Sequence, residues 1–456
     1  MPLQKNQVLT LRVERLSSDG SGVAHSPDGE TVFIPGAAPG DEARVRIVKD
    51  CKRYAFGILD EVLTPSPDRI PVDCAVAGPC GGCSLRHLDY AAELRAKQEN
   101  VADAFARIGG LDVPVLPIVG SPEVNRYRNK VQSRGRGKSG KPCIGFYAGR
   151  TPSYRPPARD CRLQPGVLNE IGNALCAFFA EKGIQPYSEE TGRGLVRHIF
   201  LRRGAHSGQI MVCLVCTRAK LPSAEELCTR LKAQFAEITT ILLNVNAKNT
   251  NVILGTETHT LYGQGYIEDT LCGVPVQLGP LSFYQVNTLA AEQLYGIAAQ
   301  YAQLTPDDLL LDLYCGMGTI GLSMAAHCRE LIGVEIVPEA IESAKANAAR
   351  MGADVAAKSR FFCADAGQAA TRLAAEGLHP DIVMLDPPRK GCDEATLSAV
   401  VRMSPRRVVY VSCNPATAAR DAAWLEQNGY HAEKVQPVDL FPRTRHCECV
   451  LSLSKV

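Results

Sequence analysis

The alternation of apolar strands with helical segments after residue 276 constrains the fold of this chain more than any other feature. Short runs rich in Val, Ile, Leu and Phe are separated by segments long enough to form helices. The predicted strands are LLLDLYC, ELIGVEI, SRFFCAD, DIVMLDPP, RVVYVSC and CVLSL. Such alternation is typical of a parallel sheet with helices on both faces. The sequence therefore predicts an α/β domain over residues 276–456.

A glycine-rich turn follows the first of these strands. In CGMGTIG, Gly316, Gly318 and Gly321 form the pattern G-x-G-x-x-G where a helix begins, which lets the backbone approach a nucleotide-like ligand closely. Glu335 ends the second strand, where its carboxylate can accept hydrogen bonds from both ribose hydroxyls. Asp365 follows the third strand and is either a contact to an adenine amino group or a helix cap. The pattern predicts a nucleotide-like cofactor without separating NAD, FAD and S-adenosylmethionine.

Two further strand ends predict reactive groups. The fourth strand ends in LDPPRKG, whose prolines fix the backbone and hold the carboxylate of Asp386 at the sheet edge. An acid in this setting is more typical of methyltransferases than of dehydrogenases. The neighbouring Arg389 and Lys390 suit an RNA phosphate or a solvated surface. Cys413 directly follows the fifth strand, at the edge where open α/β sheets bind their ligands. It is therefore a candidate nucleophile.

The chemistry that fits Cys413 is addition to a pyrimidine. C5 of uracil is too weak a nucleophile to take a methyl group directly, but a thiolate that adds to C6 gives an enolate with electron density at C5. A base must then remove the C5 proton so that the thiolate can leave. Glu448, just before the last predicted strand, is the candidate base, and the alternative is an ordinary acid at a strand edge.

Length and charge set limits on the partners. At 456 residues the chain predicts two to four domains, and its net charge of +2 requires any nucleic-acid binding to be local. Segment 126–159 supplies a local signal, because it carries ten Lys or Arg residues and no acid. Its interleaved aromatic residues, which can stack on unpaired bases, are Tyr127, Phe146, Tyr147 and Tyr154. A solvated basic face is the alternative. The chain has no apolar run long enough to cross a membrane, and its polar N-terminal stretch predicts a cytosolic protein.

One group of cysteines differs from the rest of the 18 in the chain. Most are interpreted as small core residues, but Cys74, Cys80 and Cys83 lie in a Pro/Gly-rich loop, and Cys161 could complete a set of four. Four thiolates can bind a [4Fe–4S] cluster or zinc. Zinc usually takes cysteines as two close pairs, and Cys161 has no close partner, so the spacing favours iron–sulfur. Structural thiols without a metal remain the other alternative.

The region before residue 276 predicts three further units. Residues 1–63 contain short alternating strands broken by Gly, Asp and Pro turns, which predicts an OB-like barrel that either grips oligonucleotides or serves as a structural module. The cysteine loop over 64–89 is grouped with a central α+β domain over 118–275. The segment 90–117 between them begins with a predicted helix that ends at a Gly-Gly pair.

Two classes of protein compete with a methyltransferase at this point. A nucleotide-dependent oxidoreductase would use the glycine turn and the cysteines for electron transfer, but it leaves LDPPRKG and Cys413 unexplained. A non-catalytic RNA-binding protein would use only the barrel and the basic segment.

The motifs taken in order resemble those of the RNA uracil-5-methyltransferases that depend on S-adenosylmethionine. They are C-x5-C-G-G-C at 74–83, YRNK at 127–130, FYQVN at 283–287, DLYCGMGTIG, GVE, LDPPRKG, SCNP and the terminal H-x-E segment. The resemblance covers nearly the whole chain. It implies an N-terminal TRAM-type barrel, a four-cysteine cluster loop, a central domain and a Rossmann-like class I methyltransferase domain, with the segment 90–117 packed on that catalytic domain.

The resemblance also implies roles for individual residues. Cys413 would be the nucleophile and Glu448 the base. The implied cofactor contacts are Gln285, Tyr314, Glu335, Asp365 and Asp386. The implied ligands of a [4Fe–4S] cluster are Cys74, Cys80, Cys83 and Cys161. Thr319 stands where some members carry Asn, and Cys447 and Cys449 flank Glu448 unexpectedly; a small apolar packing role is expected for both cysteines.

The expected substrate is a uridine in folded RNA. Because Cys413 must reach C6, the base has to be unpaired or flipped out of its stack. The barrel together with the cysteine loop favours bacterial 23S ribosomal RNA by resemblance, with transfer RNA as the alternative. The enzyme is expected to act as a monomer, without a membrane.

Overall fold

The computed structural model describes residues 3–136, 143–145, 147–148, 151–154, 159–189, 191–248 and 250–456. Several residues of the basic segment, among them the predicted stacking residue Phe146, lie outside these ranges. No helix within the described ranges has both the length and the apolar character needed to span a membrane.

The N-terminal region forms a closed five-stranded barrel with the strand order β1-β2-β3-β5-β4. Alternate residues of its strands, such as Val32 and Ile34, point inward and are fully buried, as the period of two requires. The strands are β1 (Val8–Leu16), β2 (Ser21–His25), β3 (Thr31–Pro35), β4 (Glu42–Asp50) and β5 (Tyr54–Thr64). The predicted barrel is confirmed, and the end of the predicted SSDGSG turn is the start of β2.

Helix α1 (Tyr90–Ala104) continues into a π-helical turn over 105–109. Gly110 ends it with a φ of 63°, a left-handed conformation that glycine adopts without strain. Val101 and Phe105 of this helical segment are buried in an apolar cluster with one face of the C-terminal sheet. The helix therefore packs on the C-terminal domain although the barrel precedes it in the chain.

A six-stranded sheet with the order β13-β12-β11-β10-β6-β7 forms the central region. One face buries Ile199 and Leu201 against two helices, and the other buries Phe200 and Met211 against the C-terminal part of the chain. The elements are β6 (Lys130–Arg136), β7 (Cys143–Gly145), β8 (Tyr147–Ala148), β9 (Thr151–Tyr154), α2 (Gly166–Glu181), β10 (Val196–Arg203), β11 (Ile210–Cys216), α3 (Ala224–Gln234), β12 (Ile238–Val245) and β13 (Glu257–Tyr262).

The C-terminal region begins with a hairpin and continues as an α/β domain. The hairpin strands are β14 (Ile267–Leu271) and β15 (Val274–Leu278), so the domain start expected at 276 lies within β15. The other elements are α4 (Thr288–Ala302), β16 (Leu309–Leu313), α5 (Thr319–Met324), β17 (Glu330–Glu335), α6 (Pro338–Met351), α7 (Ala353–Lys358), β18 (Ser359–Cys363), α8 (Ala366–Ala375), β19 (Ile382–Leu385), α9 (Glu394–Met403), β20 (Arg407–Ser412), α10 (Pro415–Glu426), β21 (Tyr430–Val438) and β22 (Glu448–Lys455).

The seven-stranded sheet of this domain has the order β18-β17-β16-β19-β20-β22-β21. Every residue of β16 and β19 is buried, because helices cover both faces of the sheet. The α/β fold predicted from the alternation is confirmed. Two details of the sheet differ from the prediction. β22 runs antiparallel to β20, and β21 was not predicted, because its residues YHAEKVQPV mix polar and apolar side chains directly after a helix.

Candidate active site

The reversed direction of β22 brings Cys413 and Glu448 to the same edge of the sheet. Cys413 directly follows the end of β20, and Glu448 begins β22. Since Ser412 pairs with Cys449 in an antiparallel register, the end of one strand lies beside the start of the other. Asn414 then caps α10, because its side chain accepts a hydrogen bond from a backbone N–H of the first turn. The thiol is held between a strand end and a helix start.

The charges around Cys413 oppose each other. Burial raises the pKa of its thiol to about 11, and the negative charges of Glu448 and Asp386 act in the same direction. Arg389 lowers this pKa through its charge and a hydrogen bond to the thiol. The sequence analysis considered Arg389 only as a phosphate contact or a solvated residue. Its place beside the thiol was missed, and the only signal was its position in LDPPRKG.

Glu448 is a buried acid whose negative charge is opposed by few nearby positive charges. Its side chain is 6% exposed. Burial raises its pKa to about 8, the charge of Asp386 adds to the shift, and Arg389 opposes it. The carboxyl group is therefore largely protonated at neutral pH and becomes a strong base once it ionises. The thiols of Cys447 and Cys449 are buried with raised pKa values, so they remain neutral packing groups beside it.

Acidic side chains collect below the glycine turn. Burial raises the pKa of Asp386 to about 7. Asp312 in β16 has its pKa raised to about 8 by burial and by the charges of Asp386 and Glu335. One of its carboxylate oxygens accepts the backbone N–H of Gly321 at 3.0 Å, and the other is buried without a partner among the described residues. Asp312 was not among the predicted site residues, although an acid inside the apolar run LLLDLY is a signal of one.

Glu335 and Asp365 bond to nearby backbone. One carboxylate oxygen of Glu335 accepts the N–H of Gly316 at 3.2 Å, and the other accepts the N–H of Val337 at 2.9 Å. This places the acid directly against the glycine turn. Asp365 caps α8 by accepting the N–H of Gln368 at 3.1 Å. Asp365 is therefore a helix cap, which was one of the two alternatives for it. The second oxygen of its carboxylate has no hydrogen bond within the described residues and could contact a ligand.

Tyr295, a buried tyrosine, links the predicted cofactor contact Gln285 to the sheet edge that carries Asp386. Burial raises the pKa of Tyr295 in α4, the charge of Asp386 adds to this, and hydrogen bonds to Thr319 and Gln285 oppose it. Tyr295 is 3% exposed and was missed because it sits in an ordinary helical pattern. Tyr314, which has a φ of 67°, instead directs its hydroxyl towards α9, 3.4 Å from the Thr396 hydroxyl.

The four cysteines assigned to a cluster lie close to one another. Burial is the main cause of the raised pKa values of Cys80, Cys83 and Cys161, and the charges of the other thiols, including Cys74, add to each shift. Every one of the four therefore acts electrostatically on its neighbours. Within the part of the chain that the structure describes, however, no three His, Cys, Asp or Glu side chains form a group that could hold a metal ion.

Arg86 is the buried cation of this loop. It is 3% exposed, and its Nη1 contacts Asp73 at 2.7 Å. Its Nε and Nη2 atoms are buried and have no oxygen or nitrogen partner among the described residues, while the Cys83 thiol raises its pKa through a hydrogen bond and its charge. The loop also contacts the segment before Glu448, because the N–H of Leu85 donates to the carbonyl of Arg443 at 3.1 Å. The donors left over on Arg86 fit an anionic group among the thiols.

Two family models match the chain. The model described as tRNA (Uracil-5-)-methyltransferase matches residues 206–456. The TRAM domain model matches residues 2–59, which include most of the barrel. Together they account for the C-terminal domain, part of the central region and the N-terminal barrel.

Individual proteins are similar over nearly the whole chain. An uncharacterized RNA methyltransferase of Halalkalibacterium halodurans is 42% identical over 454 residues, which are 99% of this chain and 98% of the relative. An uncharacterized RNA methyltransferase of Bacillus cereus is 40% identical over 456 residues, with 100% and 98% covered. The crystal structure of the Pyrococcus abyssi tRNA (uracil-54, C5)-methyltransferase with S-adenosyl-L-homocysteine has a TM-score of 0.78 at 26% identity, covering 98% of this chain and 100% of that one.

Proposed function

Because the chain belongs to the family of S-adenosylmethionine-dependent RNA (uracil-5-)-methyltransferases, we propose that it methylates C5 of a uridine in 23S ribosomal RNA, with Cys413 as nucleophile and Glu448 as base. The observation that carries this proposal is the meeting of the thiol and the buried carboxyl group at one sheet edge, where β20 ends and the antiparallel β22 begins. The barrel and the basic segment would hold the flanking RNA.

Each step of the proposed reaction uses a group at this edge. The Cys413 thiolate forms a bond to C6, and the electrons of the C5=C6 double bond move towards C5 and O4. C5 then takes the methyl group, and the carbon–sulfur bonding electrons leave with S-adenosylhomocysteine. Glu448 removes the C5 proton, the double bond forms again, and the thiolate is expelled. Arg389, which hydrogen-bonds the thiol, favours its ionised form.

The acids near the glycine turn support S-adenosylmethionine as the methyl donor. The donor carries a sulfonium and an ammonium group, so it is drawn to a site of negative potential. Glu335 and Asp386 lie close enough to Asp312 for their charges to raise its pKa. We propose cofactor contacts from Gln285, Tyr314, Glu335, Asp365 and Asp386, with Tyr295 orienting Gln285.

Two resemblances bear on the class of RNA. The pairing of a barrel with a four-cysteine loop favours 23S ribosomal RNA by resemblance. The likeness to an archaeal protein described as a tRNA (uracil-54, C5)-methyltransferase, which extends over almost the entire chain, favours transfer RNA as the second candidate. Both substrates require the same chemistry at C5.

RNA containing 5-fluorouridine tests this function directly. Fluorine at C5 cannot be removed as a proton, so the covalent adduct should persist and shift the protein on a denaturing gel. Cys413→Ala should trap nothing, whereas Cys363→Ala, which changes an exposed cysteine of the same domain, should trap like the wild type. Equal trapping by wild type and Cys413→Ala would refute the mechanism, and parallel ribosomal and transfer RNA fragments identify the substrate.

We further propose that Cys74, Cys80, Cys83 and Cys161 bind a [4Fe–4S] cluster. The support is the mutual closeness of the thiols and the leftover donors of Arg86, which suit the sulfides of a cluster. Each thiolate would bind a different iron atom, so the thiols need not converge on one point as they would around a single ion. The methyl transfer needs no redox step, so a folding or RNA-positioning role is expected.

Reconstitution under anaerobic conditions tests the cluster. The wild type should take up four iron and four sulfide per chain by chemical analysis, and Cys83→Ser should take up less, whereas Cys51→Ser, outside the set, should match the wild type. Zinc at one equivalent, or no metal in the wild type, would contradict the proposal.

A further inference from the structure

Two cationic side chains share one face of the central sheet, and a third lies close to them. Lys130 in β6 lies directly opposite Arg202 in β10 in an antiparallel pair. Arg128 precedes Lys130 by two residues, and the pairing continues there because the N–H of Arg203 donates to the carbonyl of Asn129 at 2.8 Å. Arg128 lies before the start of β6, and it is close to Lys130 because its charge lowers the pKa of that ammonium group. These three cations are called here the cation cluster.

Among the residues that the structure describes, the cation cluster has no counter-ion. None of its members forms an ion pair with a carboxylate in the described part of the chain, and segment 126–159 contains no acid at all. The Arg202 Nη1 and Nη2 atoms donate to the carbonyls of Gly279 and Ser282 at 2.8 and 2.7 Å. The Nε atoms of Arg128 and Arg202 are buried without a partner among the described residues.

The electrostatic strain within this cluster is visible at Lys130. Burial, together with the charges of Arg202 and Arg128, lowers the pKa of its ammonium group to about 8. Like charges directly opposite each other on neighbouring strands are destabilising. Burial of unpaired charge adds to that cost. The folded protein therefore holds an arrangement that favours a bound anion.

The cation cluster lies beside the proposed reaction site. Arg202 holds the loop 279–282, which leads directly into the FYQVN segment with Gln285. The charges of Arg389 and Arg128 both lower the pKa of His446, two residues before Glu448. His446 therefore lies near a cation of the reaction site and a cation of the cluster. Gln132, the next residue on this face after Lys130, is exposed, so the face is open to solvent there.

We propose that Arg128, Lys130 and Arg202 form a binding site for a backbone phosphodiester of the RNA substrate, next to the uridine that enters the reaction site. This inference rests on the proposed function. A flipped base must be held by its backbone while it is out of the stack, and phosphate contacts supply position rather than sequence recognition. The methyl donor is the other charged ligand, but its cationic sulfonium centre suits the acids of the glycine turn.

The change Lys130→Met tests the site because it separates binding from stability. Loss of a phosphate contact should raise the Kd for RNA about tenfold and reduce the slope of log Kd against log salt by about 0.7–0.9. The KM for RNA should rise, with kcat at saturating RNA and the KM for S-adenosylmethionine close to wild type. The Tm of the free protein should stay equal or increase, because a buried repulsion is removed.

Control variants make the result specific. Lys220→Met removes an exposed lysine of the same region and should leave the Kd and the salt slope unchanged. RNA with one neutral methylphosphonate next to the target uridine should weaken wild-type binding as Lys130→Met does, and combining the two should add little. Arg128→Gln gives the same test if Lys130→Met fails to fold.

The outcomes separate this inference from the proposed function. A lower Tm for Lys130→Met with wild-type Kd and salt slope would show a structural role and overturn the phosphate site. Full additivity with the methylphosphonate would overturn it as well. If the wild type binds RNA with the expected salt slope but methylates no uridine, the proposed function fails while the anion site stands.

Discussion

Two charged clusters of this protein, one fully buried and one partly buried, differ in whether their charges are compensated. Lys97 in α1 lies 2.7 Å from carboxylate oxygens of both Glu93 and Asp439, and all three are at most 1% exposed. The cation cluster of Arg128, Lys130 and Arg202 contains no acid. Native proteins rarely leave buried polar groups unpaired. We therefore interpret the compensated cluster as a structural contact between two parts of the protein, called here the joint. The uncompensated cluster indicates a binding site for an anion.

The compensated cluster joins α1 to the segment 439–447 that leads to Glu448. Glu93 accepts the backbone N–H of Arg443 at 2.7 Å, and Lys97 donates to the carbonyl of Phe441 at 3.2 Å. Asp439 also accepts the hydroxyl of Tyr90 at 2.9 Å. The Nη1 atom of Arg443 lies 3.6 Å from the other carboxylate oxygen of Glu93, so each carboxylate of this cluster faces a cation of the protein. The joint fixes where β22 begins, and hence where the proposed base lies.

The largest expected effect is on stability, at the joint. Lys97→Met leaves two buried carboxylates with only the Arg443 guanidinium, 3.6 Å from Glu93, as a cation, which should lower the free energy of unfolding by about 3–5 kcal/mol. The only tryptophan, Trp424, packs against the apolar cluster that contains part of the α1 segment. Its fluorescence during urea denaturation therefore measures the change.

The same substitution in the two clusters gives the comparison. Lys130→Met removes the same charge from the uncompensated cluster, and its denaturation midpoint should equal or exceed that of the wild type. If both lysine substitutions destabilise the protein by a similar amount, the distinction between a joint and a ligand site is wrong.

The sequence predicted the parts of the fold that repeat a simple period. The buried strands β16 and β19 are short apolar runs, and the barrel strands alternate, so both could be recognised locally. β21 could not, because its polar residues are tolerated only through pairing with β22. The reversed direction of β22 was equally invisible, since strand direction depends on the connection that precedes it.

The candidate site divides in the same way. Cys413, Asp386 and Glu335 follow apolar strands, so their common edge could be predicted from strand ends. The contacts of Arg389 and Tyr295 depend on side chains brought together from separate elements. That Lys130 faces Arg202 rather than an acid could be recognised only from the register between β6 and β10. Local pattern shows which residues end a strand, but not which charges lack a partner.

Glu448 is a third case in the comparison, because this acid avoids an uncompensated charge by keeping its proton. Its pKa of about 8 in the folded protein lies above the usual value for a glutamate. The folded state therefore retains a proton that the unfolded chain releases, so stability falls as the pH rises from the ordinary carboxyl pKa towards about 8. The catalytic base, in contrast, needs the ionised form. The rate of methylation should therefore increase with pH as Glu448 ionises, most steeply around pH 8.

Glu448→Gln should lower the activity and raise the stability of the protein at high pH. Loss of the base should lower kcat by at least about a hundredfold, with the covalent adduct accumulating on unmodified RNA. The neutral amide should raise the Tm relative to wild type more at pH 8 than at pH 5, because only at the higher pH does the wild type carry the penalty of the buried acid. A kcat that is insensitive to pH between 6 and 9 in the wild type would exclude Glu448 as the titrating base. An equal Tm difference at both pH values would show that the buried carboxyl group is not held protonated. Glu448 would then be an uncompensated buried charge, like those of the cation cluster.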